Sequence, residues 1–94
     1  MIRVLIERRI REGSATDLVL GMRAMRSDAL HRAGYVSGET LRDLDDPTHY
    51  VVVSSWRSRD DWDAWASSEQ RRQIEERLAP LLAEPERISV FEIV

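Results

Sequence analysis

Residues 50–68, YVVVSSWRSRDDWDAWASS, decide the fold. A β-branched run ends at Trp56 and predicts a strand over His49–Trp56. Ser58 and Asp61 then stand at the spacing of a helix N-cap and its third residue, so a helix starts here. Trp62 and Trp65 lie three apart and share one face of that helix. Ser67-Ser68 followed by Glu69 marks a break and a restart, with a further helix to about Leu82. All three tryptophans of the chain fall between Trp56 and Trp65. A large flat side chain with a single N–H donor suits the roof of a pocket for a planar ligand. Core anchoring in a small domain explains the same residues.

Outward from this stretch, Ile2, Val4, Ile6 and Ile10 alternate with Arg3, Leu5, Glu7 and Arg9, the pattern of a strand with one strongly apolar face. Ser14 and Asp17 have capping-box spacing. Leu18, Met22, Met25 and Ala29 recur at helical spacing and predict a helix over 15–32, stopped by Gly34. Tyr35–Leu44 reads as a second strand with a bulge at Gly38. Asp45-Asp46-Pro47-Thr48 is a turn, so the second and third strands form an antiparallel hairpin. Glu84-Pro85-Glu86 links to a last strand over Arg87–Val94. The order β-α-β-β-α-β is the ferredoxin-like plan of the α+β class, an antiparallel sheet with helices on one face. Both faces of the sheet carry apolar residues: Tyr50, Val52 and Trp56 against Val51 and Val53, and Ile88 and Val90 against Phe91 and Ile93. A homodimer in which two sheets pack face to face is the expected cover for the second face.

Ninety-four residues make one domain with a thin core. The absence of cysteine removes thiolate catalysis, disulfides and cysteine-bound metals. Seventeen acids face 14 bases, every base an arginine, which leaves no lysine for Schiff-base chemistry. Scattered bases in a mildly acidic chain argue against a nucleic-acid partner. No apolar run reaches membrane-spanning length and no signal peptide is legible, so no membrane association and a cytoplasmic location are expected. His31 and His49 have no carboxylate at metal-ligand spacing, and no metal is expected.

The strand MIRVLIERRI, the segment GYVSGETLRD and above all YVVVSSWRSRDDWDAWASSEQRR resemble the antibiotic biosynthesis monooxygenase family of small dimeric α+β-barrel proteins. The matching positions of the central motif are Trp56, Ser58, Trp62, Trp65 and Ser68. The resemblance implies a pocket in each subunit between helices and sheet. It implies either oxidation of quinol-like or polyphenolic aromatics with O2 and no cofactor, or haem degradation. The haem-degrading branch carries an Asn on the first strand and a His ten residues after the second-helix Trp. This chain has Glu7 and Glu75 there, and a carboxylate replaces imidazole poorly at haem iron. The expected ligand is therefore a small aromatic. The alternative is a non-catalytic ligand-binding or stress-associated protein on the same scaffold.

Within that frame Trp65 is the expected ligand wall. Glu7, where the family's pocket residue would point, is a candidate base, or else a salt-bridge partner of a neighbouring arginine. His49 is a candidate for proton transfer, or a turn-flanking surface residue. Met22, Met25 and Trp62 are candidate substrate contacts that plain core packing would also explain. Tyr50 is a candidate hydrogen-bond donor to ligand, or an interface aromatic.

Overall fold

The structure, a computed structural model, describes residues 1–94. Four strands, β1 (Ile2–Arg9), β2 (Tyr35–Arg42), β3 (His49–Trp56) and β4 (Arg87–Glu92), form one sheet in the order β2-β3-β1-β4. All three pairings are antiparallel. The helices are α1 (Ala15–Ala29), α2 (Arg59–Ala66) and α3 (Glu69–Leu78), the last running into a 3-10 turn over Ala79–Leu81. This is the ferredoxin-like α+β plan, with the second helical region split as the serine pair predicts.

Register fixes the two faces. Val4 pairs with Ser54 and Val90, and Ile6 with Val52 and Ile88. The even-numbered residues of these strands therefore meet the helices, and Leu5, Glu7, Val51, Val53 and Phe91 point the other way. The covered face holds two packed clusters. One is aliphatic and sulfur-rich, with Ile10, Leu18, Met22, Met25, Ile74 and Leu78. The other is aromatic, with Trp56, Trp62 and Trp65 against Val4, Ile6 and Ala29.

Local signals explain most boundaries. Ser58 accepts the Asp61 N–H at 3.2 Å, and Ser68 accepts the Arg71 N–H at 3.2 Å, so each half of the split helix has its own cap. Ser14 makes no such bond. Its backbone (φ −96°, ψ 1°) lies outside the extended region a capping side chain requires. α1 ends at Ala29, three residues before the predicted limit, and a turn leads to Gly34. β2 ends at Arg42 and β4 at Glu92, each two residues short of its predicted end. The β2 irregularity lies between Tyr35 and Ser37, ahead of Gly38.

Gly34 and Gly38 stand where an added Cβ would meet a neighbouring side chain. Gly34 has φ +82°, and a Cβ there would meet the Asp61 carboxylate at 2.1 Å. Gly38 lies under the Tyr35 hydroxyl, where a Cβ would stand 2.6 Å from the oxygen. The turn is thereby tied to the start of α2, and Tyr35 can lie flat along its own strand.

Candidate functional site: an aromatic cavity over paired arginines

The bulge in β2 and the missing side chain at Gly38 bring Tyr35 onto the rim of a cavity between the sheet and α1, α2 and α3. Trp56 contributes from β3, Trp62 and Trp65 from α2, Met22 and Met25 from α1, and Ile6, Val52 and Ser54 from the sheet. Tyr35 and Trp56 meet edge to face at 5.3 Å, and Trp56 and Trp62 at 5.7 Å. Such pairs contribute about 0.5–1.5 kcal/mol each beyond burial and hold the rings in place. Ser54 Oγ accepts the Trp56 indole N–H at 3.1 Å, which satisfies that donor without turning the ring away. The cavity measures about 60 Å³. That is room for a few waters and well under the roughly 150 Å³ known to take a benzene ring. A ring-sized ligand enters only if the lining gives, and the unbranched Met22 and Met25 are the side chains best able to do so.

The polar lining consists of Arg8, Arg26 and Arg71 with Glu39, Thr40 and Ser54. Arg8 and Arg71 both line the cavity and are each only 2% exposed. Arg8 occupies the β1 position between Ile6 and Ile10, and Arg71 lies on the buried side of α3 with Ile74 and Leu78. One carboxylate stands between them. Arg8 Nε donates to Glu86 Oε2 at 2.9 Å, while Glu86 Oε1 is 3.5 Å from Arg71 Nη2, too long for a hydrogen bond. Arg8 Nη2 rests against Met25 Sδ at 3.7 Å. Arg71 Nη1 pairs with Glu75, and its guanidinium stacks over Trp62 at 5.5 Å. Arg71 Nε and Nη2 are buried with no hydrogen-bond partner. Burial pushes the Arg71 guanidinium below its ordinary pKa, Glu86 pulls it back up, and the nearby Arg8 lowers it further. Leaving a buried donor without a hydrogen bond costs about 1–3 kcal/mol.

The sequence candidates separate cleanly. Trp65, Trp62, Met22 and Met25 are brought together in the cavity wall. Glu7 and His49 lie on the opposite face of the sheet, because odd positions of β1 and β3 turn away from the helices. There His49 Nδ1 stands 3.0 Å from Asp43 and its Nε2 3.4 Å from Glu7. Tyr50 faces the helices but packs in the aliphatic cluster, outside the cavity lining. Glu75, the position of the haem branch's histidine, is taken up by Arg71. No group of three or more His, Cys, Asp or Glu side chains is placed to hold a metal ion. Arg8, Arg71, Tyr35, Glu39 and Thr40 also line the cavity without having been singled out as ligand contacts. For the two arginines the signal was present: each is a charge in phase with a buried apolar stripe.

A sequence profile described as antibiotic biosynthesis monooxygenase matches residues 1–77. The chain belongs to the antibiotic biosynthesis monooxygenase family. Protein SchA of Streptomyces halstedii is 27% identical over 79 residues, which is 84% of this chain and 21% of that protein, so the chain spans about a fifth of that relative. Among solved structures, the chain is similar to SnoaB, a cofactor-independent oxygenase from Streptomyces nogalater, with a TM-score of 0.88 at 14% identity, covering 98% of this chain and 91% of that one. It is also similar to Rv0793 from Mycobacterium tuberculosis, with a TM-score of 0.90 at 19% identity, covering 99% and 94%. A conserved protein from Methanosarcina mazei Go1 gives a TM-score of 0.91 at 15% identity, covering 97% and 90%. At these identities the structural likeness establishes the antibiotic biosynthesis monooxygenase fold, and the chemistry has to be argued from the cavity. No helix of the chain is long and apolar enough to cross a membrane.

Proposed function

We propose that this protein is a cofactor-independent monooxygenase of a phenolic or quinol-like aromatic. The observation that carries the reading is the cavity itself: an aromatic wall of Tyr35, Trp56, Trp62 and Trp65 above two buried guanidinium groups. Family membership and the fold shared with a cofactor-independent oxygenase support it. Stacking on Trp65 orients the ring. Fixed positive charge in a dry site lowers the pKa of a bound phenol and stabilises its anion, the electron-rich form that reacts with O2. One oxygen atom then enters the ring, the other leaves as water with two hydrogens of the substrate, and a phenol becomes a quinone without an external reductant. A non-catalytic binding protein would be favoured by a cavity with no inward polar group, and Arg8, Arg71 and Ser54 speak against that.

The site is expected to work in a homodimer. The outer face of the sheet leaves Leu41 and Phe91 about half exposed beside Leu5, Val51 and Val53, and a second copy packed sheet to sheet would cover them.

Oxygen uptake by metal-stripped protein against hydroquinones, naphthols and anthrone-like phenols tests the reading. Protein-dependent uptake above autoxidation is expected, and no uptake from a folded protein would sink it. Trp65→Phe should reduce turnover about tenfold or more through lost positioning, with folding stability nearly retained. A core anchor alone would show the reverse, lost stability and unchanged activity per folded molecule.

A further inference from the structure

Arg71 presents an unfilled recognition edge. Its Nε–H and the Nη2 amino group lie on the same side of the guanidinium plane, the side that receives a carboxylate through two parallel hydrogen bonds. Both atoms are buried and neither has a hydrogen-bond partner, Nη2 keeping only a 3.5 Å ion pair to Glu86. The other end of the group is occupied, since Nη1 is held by Glu75. The plane is steadied by Trp62, over whose ring the guanidinium carbon lies at 5.5 Å. The nearest other acceptor, Glu86 Oε1, stands off at 3.5 Å while its second oxygen is committed to Arg8. Two guanidinium groups thus share Glu86 at the wall of a cavity whose other polar lining residues are Arg26, Glu39, Thr40 and Ser54, the rest being aromatic or apolar apart from Gly38.

We propose that this cavity takes an aromatic acid, its ring against the tryptophans and its carboxylate on the Nε/Nη2 edge of Arg71. The inference deepens the function proposed above and rests on it for the location of the site. It commits to a carboxylate rather than a phenolate because the free edge offers two donors side by side. A carboxylate gives each donor its own oxygen in a near-linear bond, whereas a single phenolate oxygen must accept both at bent, weaker angles. Arg8 supports the arrangement by holding Glu86 through Oε2, which keeps Oε1 at 3.5 Å from Arg71 Nη2, beyond hydrogen-bond distance.

The test is a two-dimensional 15N–1H NMR titration of the intact protein with benzoate, benzamide and phenol near neutral pH, where only benzoate is charged. Benzoate should bind at least about tenfold more tightly than either neutral probe, the discrimination expected of a charge-assisted hydrogen-bonded pair. It should shift the Arg71 Nε–H resonance. Arg71→Lys, which keeps the charge and loses the fork, and Arg71→Met should each erase that preference while benzamide binding is retained. The comparison of the three probes on the unaltered protein stands even where a variant misfolds. Phenol or benzamide binding as tightly as benzoate would overturn the carboxylate assignment and leave the aromatic pocket intact. Failure of all three probes to perturb the cavity resonances would overturn the assignment and the pocket reading together.

Discussion

The two faces of one sheet use the same alternating sequence for different ends. On the covered face Val4, Ile6, Tyr50 and Trp56 are almost fully buried, and the charges admitted there, Arg8 and Arg71, are buried with them. On the open face the apolar residues keep part of their surface, and the charged groups Glu7, His49, Asp43, Arg9 and Asp46 pair with one another near one end of the strands. Charge pairs at the surface contribute little to stability. A buried charge whose hydrogen-bond donors are only partly satisfied, as at Arg71, is costly to keep and is a mark of a functional site. The lesson is that the chemistry of this fold is found by asking which charges are buried, not which titratable residues stand on strands.

The largest effect is expected on the covered face. Trp56→Ala removes the ring that joins Tyr35 to Trp62 and should cost about 3–5 kcal/mol, read as a fall in the urea midpoint. A cost below about 1 kcal/mol would mean that the aromatic cluster is not the core of the domain. An intermediate effect is expected on the open face. Val53→Asp should leave the far-ultraviolet circular dichroism of the subunit unchanged and convert a dimer into a monomer by light scattering. A wild-type protein that is already monomeric at micromolar concentration would remove the sheet-to-sheet pairing. The smallest effect concerns pH. The Asp46 carboxyl, bonded by the Thr48 hydroxyl and amide and by Arg9, is held below its ordinary pKa. Asp43 is held down chiefly by His49. A folded-state pKa below the unfolded one gives stability that is present above the unfolded value, near pH 4, and is lost as pH falls through the folded value. Asp46→Asn should therefore lower stability slightly at neutral pH, leave it nearly unchanged at low pH, and so flatten the acid limb between them. An acid limb that stays equally steep would place the acid-sensitive groups elsewhere.

Much of the fold could be read from the chain because its signals are local and agree with one another. The alternation of Ile2 to Ile10, the Ser58 cap and the Ser67-Ser68 break each specify an element without reference to the rest. Element ends were less legible, since Ser14 has capping chemistry but lacks capping backbone geometry. The site was half legible. Trp62, Trp65, Met22 and Met25 belong to helical stripes whose inward direction periodicity fixes. Glu7 and His49 were drawn toward the site by their chemistry, although alternation already placed Glu7 opposite the Val4–Ile6 face. Arg8 was hidden because a charge on a strand is ordinarily solvated or paired at the surface. Arg71 was hidden because its partner Glu86 is a tertiary contact, supplied by the loop before β4. The Tyr35 rim was hidden because it depends on a register shift that composition does not reveal.

The confinement of every tryptophan to the cavity lining makes the chain its own optical probe. With Trp56, Trp62 and Trp65 all around one small space and none elsewhere, the indole emission of this protein carries information about that space alone. A change in its colour or intensity would signal an event at the cavity, while rearrangement confined to the far side of the sheet would leave the light unaltered.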